Sequence, residues 1–498
     1  MLRTIHRLKS DVEQGKFRIS FEFEEFDCDW EDEYELRDND GFGEKAKECL
    51  LKSIALMYRR QYETALQAFD SLFSIVFANE YRDDDISFAD LFEAGLIDLE
   101  LSEVSLYYAF AALWVLRGTA RNKKLLDLMA ISASALDLQA ILKIVDEPLP
   151  DRDAFAAEWY GFCATLPEQQ WRRPEKTRLL IDSVLFRGGT AALSAFAEEH
   201  GEKYPQTYRE LVQIHKNAGD RAQAVDWALR GLEALDAKSS VRAEIADQLA
   251  ELASETDNPD IFRIGLTEGF RSSLNLSHFL RLHQIGDDAA IGQAVQYMIE
   301  QKERNADNDA DYYCIRLLSG DDAFVWEQCA ADHKSLGWSN SPKGKLFPLF
   351  IALSLKTPEI PHCIRELLRE NFDGTSGILR RLQEAQGVRS EDALSDQIVR
   401  VLRFHPCFSD KGEGRDYLDW CQEETRKRVK AILEGQYRSS YHKVALLIVA
   451  VAEAIRSGKN AERSTEWIKE FRARYPRHSA FHREMREVLA KAGFAKLF

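Results

Sequence analysis

From about Gly43 to Phe498 the apolar residues recur at steps of three and four, in stretches separated by Gly, Pro, Asn or Asp. That period gathers them on one side of a helix but scatters them over both faces of a strand, so it admits helices nearly throughout. A helix that is apolar on one side only must cover that side with a neighbour. At 498 residues the chain is also too long for a single core. The expected fold is therefore all-α: an α-solenoid of stacked helical hairpins, preceded by a short acidic segment with one or two β-strands. The expected divisions are 1–44 (acidic segment), 45–200 (N-terminal helical domain), 201–285 (the clearest helical repeats) and 286–498 (C-terminal helical repeats, basic at the end).

Only the opening departs from the helical period. Over 18–24 polar and apolar residues alternate, which places Ile19, Phe21 and Phe23 on one face of a strand. The acidic run that follows ends in Asp38-Asn39-Asp40-Gly41 and reads as a surface loop over 24–40. Further on, Ser341-Pro342 supplies a capping oxygen and a residue that needs no N–H in the first turn. A helix is thus expected from Pro342 through Leu353, with Gly337 closing the one before it. Asn258-Pro259 separates two helices, the second beginning near Asp260, and Gly219-Asp220 separates two more.

In 206–235, Tyr208, Leu211, Val212 and His215 form one stripe, Gly219 turns the chain, and Ala224, Ala228 and Leu232 recur four apart on the returning helix. Small residues at such steps let two helices approach closely. The pattern resembles a tetratricopeptide repeat that lacks the second-helix aromatic and the closing proline. Weaker echoes are Tyr62, Ala65 and Phe69 after Arg59-Arg60, then Gly458, Trp467 and Phe471 before Pro476, and the pairing of Ile245, Leu249 and Leu252 with Ile261, Ile264 and Leu266. The succession 208–235, 242–270 and Trp467-Ile468-Lys469-Glu470-Phe471, with Tyr475, Arg477 and Phe481, resembles the helical region that follows the zinc finger in bacterial SWIM-type proteins. The CxC and CxH of that finger are absent, so its nucleic-acid role is not implied. The segment 326–345, with Leu336-Gly337-Trp338-Ser339, is similar to an uncharacterised bacterial family that names no function.

Charge narrows the partners. The formal net charge is −17, whereas a nucleic-acid backbone asks for clustered Lys and Arg. The balance is polarised: 12 basic against 26 acidic residues in 1–110, net −14, and 20 against 13 in 401–498, net +7. Basic groups at 121–124, 172–178 and 426–430 are short and carry no interleaved aromatics, so nucleic acid is not an expected partner. Eight cysteines without CxxC spacing read as reduced, packed thiols of a cytoplasmic protein. The charged N-terminus gives no secretory signal, and the longest apolar run, 444–452, is about half of a bilayer span, so no membrane is expected.

No motif carries recognisable catalysis. Cys329 and His333 lie four apart, and His362-Cys363 and His405-Pro406-Cys407 add soft ligands, but none has zinc-knuckle spacing. Asp307-Asn308-Asp309-Ala310-Asp311 resembles the start of an EF-hand loop, then places Tyr312 where glycine is needed and Leu318 where the bidentate acid belongs. Gly412-Glu413-Gly414 and Lys343-Gly344-Lys345 are fragments of phosphate loops without the rest. The acid pairs Glu24-Glu25 and Asp83-Asp84-Asp85 sit in polar runs that water keeps ionised. Catalytic, metal and cofactor residues are accordingly expected to be none.

Stacked hairpins leave a concave surface, and the default occupation of such a surface is binding. On the first helix of the 206–235 hairpin the groove side is expected to show Gln206, Arg209, Gln213, Lys216 and Asn217, a polar, doubly cationic set suited to an acidic peptide or a terminal carboxylate. The leading expectation is a non-enzymatic, protein-binding scaffold or adaptor. The alternatives are an accessory subunit whose acidic segment docks on a basic surface or mimics nucleic acid, and, last, a helical metal-dependent or Cys/His enzyme.

Overall fold

The computed structural model describes residues 1–23, 34–78, 85–131, 137–145, 147–168, 175–301, 309–338, 341–373, 393–403, 405 and 417–494. Among them the chain is all-α, with two small antiparallel strand pairs. It divides into two units, Met1–Trp227 and Ala228–Phe498.

In the first unit the expected strand is Ile19–Phe23, and it pairs with Tyr34–Asp38 so that Ile19 faces Asp38 and Phe23 faces Tyr34. The end of the acidic run is thus a strand and not a loop. Its Asp and Glu content, disfavoured in strands, masks the alternation of Tyr34 and Leu36 with polar neighbours. A second pair, Val76–Phe77 with Ile86–Ser87, has no counterpart in the expectations. The acidic residues 24–33 lie outside the described residues. Asp38 goes on to start the next helix: its carboxylate accepts from the N–H of Phe42 at 2.9 Å and of Gly43 at 2.7 Å. Gly43 is required there, since a Cβ would stand 1.9 Å from the Leu96 carbonyl oxygen.

The helices Phe42–Tyr58 and Tyr62–Phe73 form the hairpin expected around Arg59-Arg60, with Arg60 turning the chain at φ +58°. Tyr62, Ala65 and Phe69 are buried, and Phe69 stacks on Tyr108 at 5.2 Å between ring centroids. Lys176–His200 is the one helix whose length and composition would suffice to cross a membrane among the described residues. It is broken at Gly188 and Gly189, the latter at φ +62°, ψ −158°, a region open only to glycine. The halves 176–187 and 190–200 rise roughly 16–18 Å each, short of the ~30 Å hydrocarbon layer.

Gln206–Asn217 and Arg221–Ala234 follow, joined at Gly219 with φ +77°. Tyr208, Leu211, Val212, Ala224 and Ala228 are buried as the repeat pattern requires. The returning helix does carry an aromatic: Trp227 packs on Tyr208 at 6.3 Å. It stands one position before Ala228, where the repeat spacing does not look for it.

In the second unit Asn258 caps the helix Pro259–Ser273 by accepting from Ile261 N–H at 3.2 Å. This helix packs on Ser240–Glu255 through a face that shares only part of the expected one. Ile264 is exposed, while Gly265, Leu266, Gly269 and Phe270 face inward. The backbones meet so closely that a Cβ on Gly265 would lie 2.7 Å from Ala250 N and 2.9 Å from Ala246 O. The core helix is Tyr441–Ser457. All of 444–452 except Leu447 is buried, so the longest apolar run serves the interior. Trp467 donates its indole N–H to Ile448 O at 3.0 Å, and Ser464 donates to Ala452 O at 2.7 Å, fixing the helix Ala461–Arg474 against it.

The helix Lys343–Leu353 begins after Pro342 as expected, and Ser341 Oγ accepts from Lys343 N–H at 3.3 Å. The preceding helix, Asp322–Ala330, ends well before Gly337, which belongs instead to a turn at φ +79°.

Candidate binding site

Three helices of the first unit converge on a cleft of about 740 Å³, a volume within the usual range for ligand sites. Leu138–Lys143 contributes Lys143, Lys176–His200 contributes Arg178 and Asp182, and Gln206–Asn217 contributes Gln206, Arg209 and Glu210. The Gly188–Gly189 break lets one helix line the cleft along two directions, with Gly189 itself at the wall. Asp137 and Glu175 complete the charged lining, and Ile181, Leu185 and Ile214 give it an apolar part.

Asp182 is the group most altered by this setting. It is half-buried, and Leu138 N–H points at its Oδ2 from 3.4 Å. Burial pushes its carboxyl up to about 7; the Leu138 N–H and the Arg178 charge oppose that rise, whereas Asp137 and Glu210 add to it. The unfolded chain ionises this group near the ordinary aspartate value of about 3.9. Between those values the folded state holds a proton that the unfolded state has lost. Stability therefore falls as pH rises from about 4 through about 7 and levels off above. Glu453, buried in the second unit and accepting from Cys363 N–H at 3.0 Å and Ile364 N–H at 3.3 Å, is also pushed up to about 7 by burial and adds a change of the same sign. Asp182→Asn should thus shrink, without abolishing, the loss of melting temperature between pH 5 and pH 8. An unchanged loss would show that Asp182 ionises normally.

Of the five residues expected on the groove side, Gln206 and Arg209 line this cleft. Gln213 and Asn217 do not; they hydrogen-bond to each other along the helix, Nε2 to Oδ1 at 2.8 Å, and Lys216 also stands outside the lining. The partners that sequence reasoning missed, Lys143, Arg178, Asp182 and Glu210, come from three elements. The one local sign of them is the Gly188-Gly189 pair, which marks where a helix must change direction.

The remaining chemical candidates are scattered. Cys329 is buried in its helix, but His333 follows that helix's end and does not share its face. His405 is buried with Nε2 2.9 Å from Leu317 O; a carbonyl only accepts, so Nε2 carries the proton. Cys407, Cys28, Asp307-Asn308 of the EF-hand-like run and Gly412-Glu413-Gly414 lie outside the described residues. Asp311 caps a different helix by accepting from Leu276 N–H at 3.1 Å. Among the described residues no three His, Cys, Asp or Glu side chains are grouped to hold a metal ion. Burial pushes the thiols of Cys49, Cys163, Cys314, Cys329 and Cys363 up, away from the reactive thiolate.

Each of the three basic groups has cations engaged internally. Arg121 is buried on Asp151 at 2.6 Å, Lys124 reaches Asp70 at 2.5 Å and Lys176 reaches Glu168 at 3.3 Å. Arg426 grips Glu470 through two bonds of 2.9 and 3.0 Å, and Lys427 meets Glu424 at 2.8 Å. No known protein family, curated protein or solved structure matches the chain.

Proposed function

We propose that this protein is a non-enzymatic scaffold of the cytoplasm that binds a segment of another protein in the 176–217 cleft. The supporting observation is the placement of Gln206 and Arg209 on one wall and Arg178 on another, around a cleft of about 740 Å³. Guanidinium groups recognise carboxylates by paired N–H donors, which suits an acidic peptide or a chain terminus. Asp182 aids this reading. Kept protonated up to about pH 7, it leaves Lys143, Arg178 and Arg209 facing three carboxylates in place of four, and can donate to an incoming carboxylate.

A library of random peptides with free C-termini, selected on the full chain, tests this reading. Acidic sequences, or sequences whose terminal carboxylate is needed, should be enriched. Arg178→Glu or Arg209→Glu should weaken them at least tenfold, whereas Lys216→Glu, outside the cleft, should change affinity less than twofold. Equal binding by wild type and both arginine variants would refute the site.

A further inference from the structure

Trp338 and Tyr437 are each 49% exposed and touch one another, with ring centroids 5.8 Å apart and planes at 54°. Single exposed aromatics are common, but here two are held together and in place. The Tyr437 ring lies against Gly435, where a Cβ would stand 2.3 Å from it, and the chain reaches Tyr437 through Gln436 at φ +57°. Trp338 sits in a turn closed by its own N–H on Ser335 O at 3.0 Å. The chain leading into that turn is anchored from below: buried Lys343 donates to Asp332 O at 2.9 Å and to Lys334 O at 2.6 Å.

Arg428 lies against this turn and the Trp338 ring. Its guanidinium is pressed against Gly337, where a Cβ would meet Cζ at 2.7 Å, and is 5.4 Å from the centre of the Trp338 ring. Its Nη1 is buried with no acceptor among the described residues. A buried donor left unpaired carries a penalty that a bound acceptor would relieve. Lys430 and Arg438, exposed and close in sequence to Arg428 and Tyr437, and Lys334, exposed before Trp338, outnumber the one exposed acid of that stretch, Glu434.

We propose that Trp338, Tyr437 and Arg428 form a second docking site, which takes a partner peptide presenting a carboxylate beside an apolar side chain. Trp, Tyr and Arg are the residues that dominate interface energetics, and a ring pair fixed in advance loses little freedom on binding. The carboxylate would accept from Arg428 and the apolar side chain would cover the rings. A cationic guest is disfavoured by the guanidinium already on Trp338. A nucleic-acid strand is less suited, since one face of Trp338 is taken and two rings make no track of stacking platforms. This site is independent of the 176–217 cleft.

The test is a random peptide library selected on the full chain, with Trp338→Ala as the counter-target, followed by binding of the selected peptides made synthetically. Peptides with Asp or Glu next to a large apolar residue are expected. Their affinity should fall at least tenfold on Trp338→Ala, on Tyr437→Ala and on Arg428→Lys, which keeps the charge but loses the planar fork. Amidation of the acidic side chain should do the same, and Arg209→Glu should change affinity less than twofold. The two aromatic variants alter exposed side chains and should melt within a few degrees of wild type. The proposal is overturned if no selected peptide depends on these three residues, if the dependent peptides are basic, or if oligothymidylate binds and loses its affinity on Trp338→Ala.

Discussion

Lys343→Met should destabilise the protein by about 3–5 kcal/mol, and adding Glu424→Leu to it should restore most of the loss. Lys343 is fully buried and Glu424 is 1% exposed, with Nζ and Oε2 2.5 Å apart. An ammonium has three N–H donors. Two are donated, to Asp332 O and Lys334 O, and the charge is paired with Glu424. Removing the lysine leaves a carboxylate in the interior with Lys427, at 2.8 Å, to balance it, and frees two carbonyls. Replacing both charges removes the need for either, because the desolvation of a buried pair largely offsets its attraction. Guanidinium unfolding of the four proteins in the cycle measures this coupling. Since the pair is shielded from solvent, the effect should be nearly the same in urea at low and high salt, unlike that of an exposed pair. Additive losses in the double variant would mean that the two groups do not interact.

Gly265→Leu should cost several kcal/mol, and Gly265→Ala about 1–3 kcal/mol, although alanine normally improves a helix by up to about 1 kcal/mol over glycine. The reversal follows from the 2.7 and 2.9 Å separations between a Cβ there and the backbone of Ala250 and Ala246. Backbone atoms in a packed helix cannot rotate out of the way, so the helices must part. Gly292 is the control. It lies in the helix Asp288–Glu300, and a Cβ added to it would meet none of the described residues within 4 Å, so Gly292→Ala should stabilise. Equal effects at the two positions would show that the close crossing is not there.

The same crossing shows why part of the fold is legible in the sequence and part is not. Turns are written locally. Arg59-Arg60, Gly219-Asp220 and Asn258-Pro259 are all found where expected, because left-handed backbone and helix capping depend on a few adjacent residues. Packing faces are written less plainly. The inward side of Pro259–Ser273 is marked by Gly265 and Gly269, which hydrophobic periodicity does not count, and Ile264, which it does count, faces outward. Strand Tyr34–Asp38 is hidden because its partner lies across a long acidic connection.

The cleft is legible by one wall only. Gln206 and Arg209 follow from helical spacing within a single hairpin. Arg178, Asp182 and Lys143 arrive by tertiary packing of elements more than twenty residues away, and no local rule pairs them. Likewise Arg121 to Lys124 reads as a basic patch in one dimension, whereas in space Arg121 and Lys124 meet Asp151 and Asp70.

Hydrogen exchange on the full chain, with and without an acidic peptide selected on it, tests the proposed binding most directly. Protection concentrated in 137–143, 176–190 and 206–214, and absent in Arg209→Glu, is the result expected. Protection that leaves those segments unchanged while a peptide is bound would contradict the cleft as the binding site.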